Sequence, residues 1–167
     1  YIKSLRMSHQ DIKDEYKETD GQPEVKQKIR KLQMQAASKA KKETASIDNL
    51  SEATAIITNP THFAVALKYK VGDSQAPLVI AKGKGKNAQE IIKKAKELNI
   101  GNMRSPVLAR ALYFTCEIGE EIFDKLYNAV AIALAYIYKI DNGENVEEPE
   151  IVVPDDLIFN EYGKKDV

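Results

Sequence analysis

The chain has 167 residues, 43% hydrophobic and 30% charged, with 25 basic residues balanced by 25 acidic ones. A chain of this length buries roughly two thirds of its unfolded surface as one domain. It therefore needs no disulfide staple, and its single cysteine excludes a disulfide framework or a multi-cysteine zinc site and fits a reducing compartment.

Zero formal charge argues against a dedicated nucleic-acid binder. The longest apolar run, residues 129–137, is about half the length of a membrane span. No secretory signal pattern is expected, and a start at Tyr1 instead of Met reads as a piece of something longer.

The neutral total hides an asymmetry. Lys26, Lys28, Arg30, Lys31, Lys39, Lys41 and Lys42 form a run without an acid, whereas residues 141–167 hold nine acids against Lys164 and Lys165. This patterning divides the chain into a basic helical arm with a linker (1–52), a compact core (53–140) and an acidic flexible tail (141–167).

In the arm, Ser8 and Asp11 resemble a capping box, and Gly21 and Pro23 interrupt the pattern. Val25, Ile29, Leu32 and Ala36 then form a narrow stripe at helical spacing, too thin for an independent core. Residues 38–51, rich in Lys, Ala, Ser and Thr, read as a linker.

The core opens with a strand over residues 53–58, followed by Asn59-Pro60-Thr61-His62, which has turn composition. Phe63, Val65, Leu67 and Tyr69 alternate with Ala64, Ala66 and Lys68, a period-2 strand. Residues 78–81 give a third strand. Asn87 is placed to cap a helix whose Ala88, Ile91, Ile92, Ala95 and Leu98 share a face, ended by Asn99 and Gly101. A fourth strand near 100–103 completes a strand–helix–strand crossover. Ser105-Pro106 opens the next helix, and a last one spans about 120–138. The expected fold class is α/β, a small central sheet of about four strands surrounded by helices. The acidic tail is expected to be disordered, apart from local docking by Val152, Val153, Leu157, Ile158 and Phe159.

Most candidate chemistry fails on spacing. Gly83-Lys84-Gly85-Lys86 lacks the glycine spacing and the Ser/Thr of a phosphate loop and reads as a lysine-rich strand end. His9 and His62 have no companion cysteines, so neither a metal nor a cofactor is expected. Cys116 sits in an apolar stretch as a small hydrophobe.

Asn59-Pro60 carries a specific reactivity. The usual side reaction of asparagine needs the next residue's backbone N–H, and proline has none. The reverse attack stays open: the Asn59 side-chain nitrogen adds to its own main-chain carbonyl carbon, and collapse expels the Pro60 nitrogen. Peptide hydrolysis faces a barrier of roughly 30 kcal/mol, and cutting within hours needs about 23. A well-oriented intramolecular attack supplies about 7–11 kcal/mol, which covers the gap. In this scheme His62 shuttles the proton to the departing nitrogen, and Thr61 or a neighbouring N–H stabilises the oxyanion. A plain Asn-Pro turn joining two strands is the competing reading of the same four residues.

The residues around this turn resemble a known family. Ile57-Thr-Asn-Pro-Thr-His-Phe-Ala-Val-Ala-Leu-Lys-Tyr69 is similar to the Asn-Pro-Thr-His signature of the FlhB/YscU family, the export-apparatus switch proteins of flagellar and virulence type III secretion. Residues 7–20, 76–83, 108–113 and 119–122 also fit, so the likeness covers about residues 1–140 and leans to the flagellar branch. Ile122-Phe123 and Arg104-Ser105-Pro106-Val107 depart from the family's habit of Ile-Pro and a double proline.

The resemblance implies a bacterial inner-membrane protein, with four transmembrane helices preceding these residues and this domain facing the cytoplasm. It implies single-turnover self-cleavage between Asn59 and Pro60, with the fragments staying associated and Thr61 and His62 assisting. It further implies a change of export specificity from rod and hook proteins to filament-type ones. Expected partners are other export-gate membrane proteins, export substrates and a hook-length control protein, with no nucleic acid. The alternative is a protein-binding module of the export apparatus that never cuts itself.

Overall fold

The computed structural model describes residues 23–60, 62–70, 72 and 74–165. The Ser8/Asp11 capping box, His9 and the family-like segment 7–20 lie outside the described residues. The chain forms two units, residues 1–41 and 42–167.

In the first unit the described residues belong to helix α1, Pro23–Ser46, with proline in the first turn. The stripe seen in the sequence exists but stays open: Val25, Ile29 and Leu32 are exposed. No helix among the described residues is long and apolar enough to cross a membrane.

The second unit begins eleven residues earlier than the sequence suggests. Glu43 and Ser46 of α1 are buried, and a 3₁₀ turn, Ile47–Glu52, buries Ile47 and Leu50. The polar composition of 42–51 concealed these two anchors, and the linker reading is corrected there.

Four strands follow the expected order: β1 Ala55–Asn59, β2 Phe63–Lys68, β3 Leu78–Lys84 and β4 Gly101–Arg104. They lie side by side as β3-β2-β1-β4. β1 is antiparallel to β2 and parallel to β4, and β2 is antiparallel to β3. The β1 strand therefore occupies an interior position, flanked on both sides by strands that come later in the chain.

Both faces of the sheet are covered, which is why β2 is buried from Phe63 to Leu67. Alternation sends Ile57, Phe63, Val65 and Leu67 to one core, with α3 (Pro106–Thr115) and α4 (Tyr127–Asp141). Ile56, Ala64 and Ala66 go to the other, with α2 (Lys86–Glu97) and the 3₁₀ turn. Small alanines on that face let α2 lie close to the sheet.

Helix ends show the remaining differences. The N-cap of α2 is Gly85, at φ +57°, and Asn87 lies inside the helix. Leu98 follows the helix as its C-cap and is exposed, so it does not join the buried Ala88, Ile91 and Ala95. Asn99 then takes φ +56°, and the N–H groups of Asn99 and Ile100 return to Lys96 and Ala95, a Schellman closure. The last helix begins at Tyr127, because residues 120–126 turn against β3 through a Leu78–Glu121 bridge.

The acidic tail is a docked segment, and the expectation of disorder is corrected. Val153 and Leu157 are 5% and 6% exposed within the first core, with Ile151 and Phe159 packed beside them. Full burial of such side chains is worth about 1.5–3 kcal/mol each, enough to hold an irregular segment despite its charge.

Candidate functional site

The Asn59–His62 segment is the tip of the β1–β2 hairpin. Asn59 and Phe63 form the last cross-strand pair, and Pro60 and His62 lie between them. β1 ends one residue later than its apolar pattern indicates, so Asn59 is fixed by sheet pairing and not carried on a free turn.

Backbone bonds on three sides hold the tip. His62 N–H donates to Asn59 O at 2.9 Å and closes the loop. Gly85 N–H donates to His62 O at 2.9 Å, tying the loop to the start of α2. Ser105 N–H donates to Thr58 O at 2.9 Å from the end of β4. Beneath the loop, Phe63 is 2% exposed, with ring centroids of Tyr113 and Phe114 at 5.0 and 5.4 Å.

The residues that the sequence singles out stand at the surface of this support. Pro60 and His62 are exposed and Asn59 is half-buried. Among the described residues the Asn59 carboxamide has no hydrogen-bond partner. His62 Nδ1 lies 3.3 Å from Pro60 O, and its Nε2 lies 3.5 Å from Glu161 Oε2. Thr61 lies outside the described residues, so its expected role has no structural counterpart here.

Three contributors to this tip escaped sequence reasoning. The His62 N–H donor was anticipated only as an unnamed neighbour, Gly85 as a cap carried no signal, and Glu161 sits in the tail.

Behind the tip lies a buried polar chain. Tyr113 Oη donates to Glu43 Oε1 at 2.5 Å. Lys82 Nζ donates to Tyr113 O and Cys116 O, both at 2.8 Å, and lies 4.8 Å from the Tyr113 ring centroid. The lysine thereby caps carbonyls at the end of α3. Burial, and then the Glu43 carboxylate, push the Tyr113 phenol well above its ordinary value.

Cys116 is buried and free, with its Sγ 3.4 Å from Phe123 N, as a small core residue would be. Among the described residues no cluster of His, Cys, Asp or Glu suits a metal ion. A cavity of about 790 Å³, lined by Thr54, Tyr69, Pro77, Tyr127, Leu134 and Tyr138, includes none of the described residues of the hairpin tip.

Comparison with known proteins agrees with this architecture. Residues 1–137 match the model of the FlhB HrpN YscU SpaS family. The flagellar biosynthetic protein FlhB of Salmonella typhimurium is 42% identical over 165 residues, covering 95% of this chain and 42% of that protein. FlhB of Aquifex aeolicus is 45% identical over 137 residues, 82% of this chain and 38% of that protein. The chain thus spans about two fifths of the length of these relatives.

Among solved structures, the cytoplasmic domain of FlhB from Shewanella putrefaciens matches with a TM-score of 0.61 and 36% identity, over 70% of this chain and 95% of that one. Two EscU C-terminal domains match with TM-scores of 0.52 and 0.51 at 35% identity, each over 55% of this chain and over 92% and 90% of theirs. One carries an asparagine changed to alanine, the other the next residue, a proline, changed to alanine. With its sequence matching the family model over 137 residues and its sheet and helices matching the solved FlhB domain, the chain belongs to the FlhB HrpN YscU SpaS family.

Proposed function

We propose that this domain cuts its own chain between Asn59 and Pro60, and that the cut changes the export specificity of a flagellar-type secretion gate from rod and hook proteins to filament-type ones. The observation that carries the reading is the hairpin tip itself. It fixes Asn59 by sheet pairing and aims a backbone N–H at its carbonyl oxygen.

The chemistry balances within the chain. Asn59 Nδ2 bonds to the Asn59 carbonyl carbon, and the oxygen takes on negative charge beside the His62 N–H, which supports it as an oxyanion donor does. Nδ2 gives up one of its two protons in the attack; collapse breaks the bond to Pro60, whose nitrogen leaves carrying a proton relayed through His62. The N-terminal fragment ends as a succinimide, which water opens. No cofactor enters, and each chain reacts once.

The sheet gives the cut a consequence. β1 belongs to the N-terminal fragment, while β2, β3 and β4 belong to the C-terminal one, and β1 pairs with both β2 and β4. The fragments therefore stay together, while the tip around Pro60 and His62 is released to take a new shape. In this reading the domain faces the cytoplasm from an inner-membrane protein. Its partners are other gate components, export substrates and a hook-length control protein.

The test is made in cells whose own copy is replaced by the full-length protein. The wild type is expected to pass from hook-type to filament-type export, and an Asn59→Ala variant to remain in hook-type export. An Asn59→Ala variant that changes specificity on schedule would contradict the proposal.

A further inference from the structure

The last described residues close a small hook. Asn160 N–H donates to Lys164 O at 2.8 Å, and Gly163 N–H to Asn160 O at 3.1 Å. Asn160 Oδ1 accepts from the N–H groups of Tyr162 and Lys164 at 2.9 and 3.0 Å.

Two contacts fasten the hook to α3. Arg110 Nε donates to Phe159 O at 2.7 Å, and the Phe159 ring lies 5.5 Å from Phe114. Gly163, at φ +81°, lies so close to Phe114 that a Cβ there would meet its ring at 2.7 Å. Phe114 in turn packs edge-on against Phe63, the residue that follows His62.

Glu161 sits in the bend of this hook, and its Oε2 faces His62 Nε2 at 3.5 Å, while Nδ1 faces Pro60 O at 3.3 Å. Acceptors thus stand at both ring nitrogens, one supplied by the scissile loop and one by the tail. The family model ends at residue 137, before the hook.

We propose that Glu161 is a positioning residue for self-cleavage: the hook presents its carboxylate to Nε2 and thereby holds the His62 imidazole alongside Pro60. The inference rests on reading the hairpin tip as a self-cleaving site. The two side chains are 51% and 49% exposed, so the effect is modest. A contact this exposed transmits about a two- to fivefold change in rate.

The test follows fragment appearance in freshly translated chains on denaturing gels. Glu161→Gln is expected to slow cutting about two- to fivefold, Glu161→Asp to restore most of the rate, and Glu150→Gln, which removes a charge elsewhere in the tail, to change nothing. In a His62→Ala background Glu161→Gln is expected to have no further effect, because its path runs through the imidazole. A wild-type rate in Glu161→Gln, or an equal slowing in both backgrounds, overturns the proposal.

The contact has its own readout that does not depend on cutting. In an uncut Asn59→Ala chain, the ring nitrogen signals of His62 are expected to shift on Glu161→Gln, and unchanged signals overturn the proposal. A wild-type chain that yields no fragments overturns the cleavage reading and with it the role of Glu161. A cutting wild type with an unaffected Glu161→Gln variant overturns the role of Glu161 alone.

Discussion

His62 N–H donates to the main-chain oxygen of Asn59 at 2.9 Å, so the hairpin hydrogen-bonds the same carbonyl whose carbon the Asn59 carboxamide attacks in the proposed cleavage. This donor belongs to the backbone and survives substitution of the His62 side chain. His62→Ala is therefore expected to slow cutting by no more than about 10²-fold, the low end of what a positioned acid or base contributes. Asn59→Ala, which removes the nucleophile, is expected to yield no fragments at all. Timed denaturing gels of both variants check the ranking, and complete loss in His62→Ala would show that proximity does not supply most of the acceleration.

After cutting, the two fragments are expected to behave as one particle. The N-terminal fragment contributes Ile56 and Ile57, both fully buried, from the interior of the sheet. Each is worth about 1.5–3 kcal/mol of burial, in addition to the ladder bonds on two sides. Size-exclusion chromatography of cut protein should give a single peak under native conditions and two in strong denaturant. Separation without denaturant would contradict the pairing of β1 with both β2 and β4.

Tyr113 makes stability depend on alkaline pH. Burial and then Glu43 raise its phenol, so the folded state holds the proton more tightly than the unfolded chain does. In the unfolded chain the proton leaves near pH ~10. The stabilisation is complete below that value and is lost as pH rises towards the folded one. In an Asn59→Ala background, expected to keep one unbroken chain, urea melts from pH 8 to 11 should show a steeper loss for Tyr113 than for Tyr113→Phe. Equal slopes would place the phenol in water.

The tail is part of the core, and Leu157 is its test. Leu157→Ala, again in the uncut background, is expected to cost about 2–4 kcal/mol in urea unfolding. A flexible tail would show no change.

How much of this was legible in the sequence follows from the physics of each element. Phe63, Val65 and Leu67 mark β2 because large apolar residues at period 2 have few other uses. Ala64 and Ala66 were ambiguous, since alanine is at home on a surface as well as under a helix. Ile47 and Leu50 were isolated among polar residues, and Val153 and Leu157 were outweighed by nine acids, so composition hid anchors that single side chains supply. The proposed Asn-Pro chemistry needs only two adjacent residues, so the sequence alone is enough to suggest it. The meeting of Glu161 with His62 was not legible there, because only the folded chain brings them together.

The central claim is that the carboxamide of Asn59 displaces the nitrogen of Pro60. Mass spectrometry of freshly purified wild-type chain under denaturing conditions tests it most directly. The expected result is two polypeptides of 59 and 108 residues, the shorter ending in asparagine or its succinimide and the longer beginning with proline. A single unbroken polypeptide of 18.7 kDa that persists at neutral pH would contradict it.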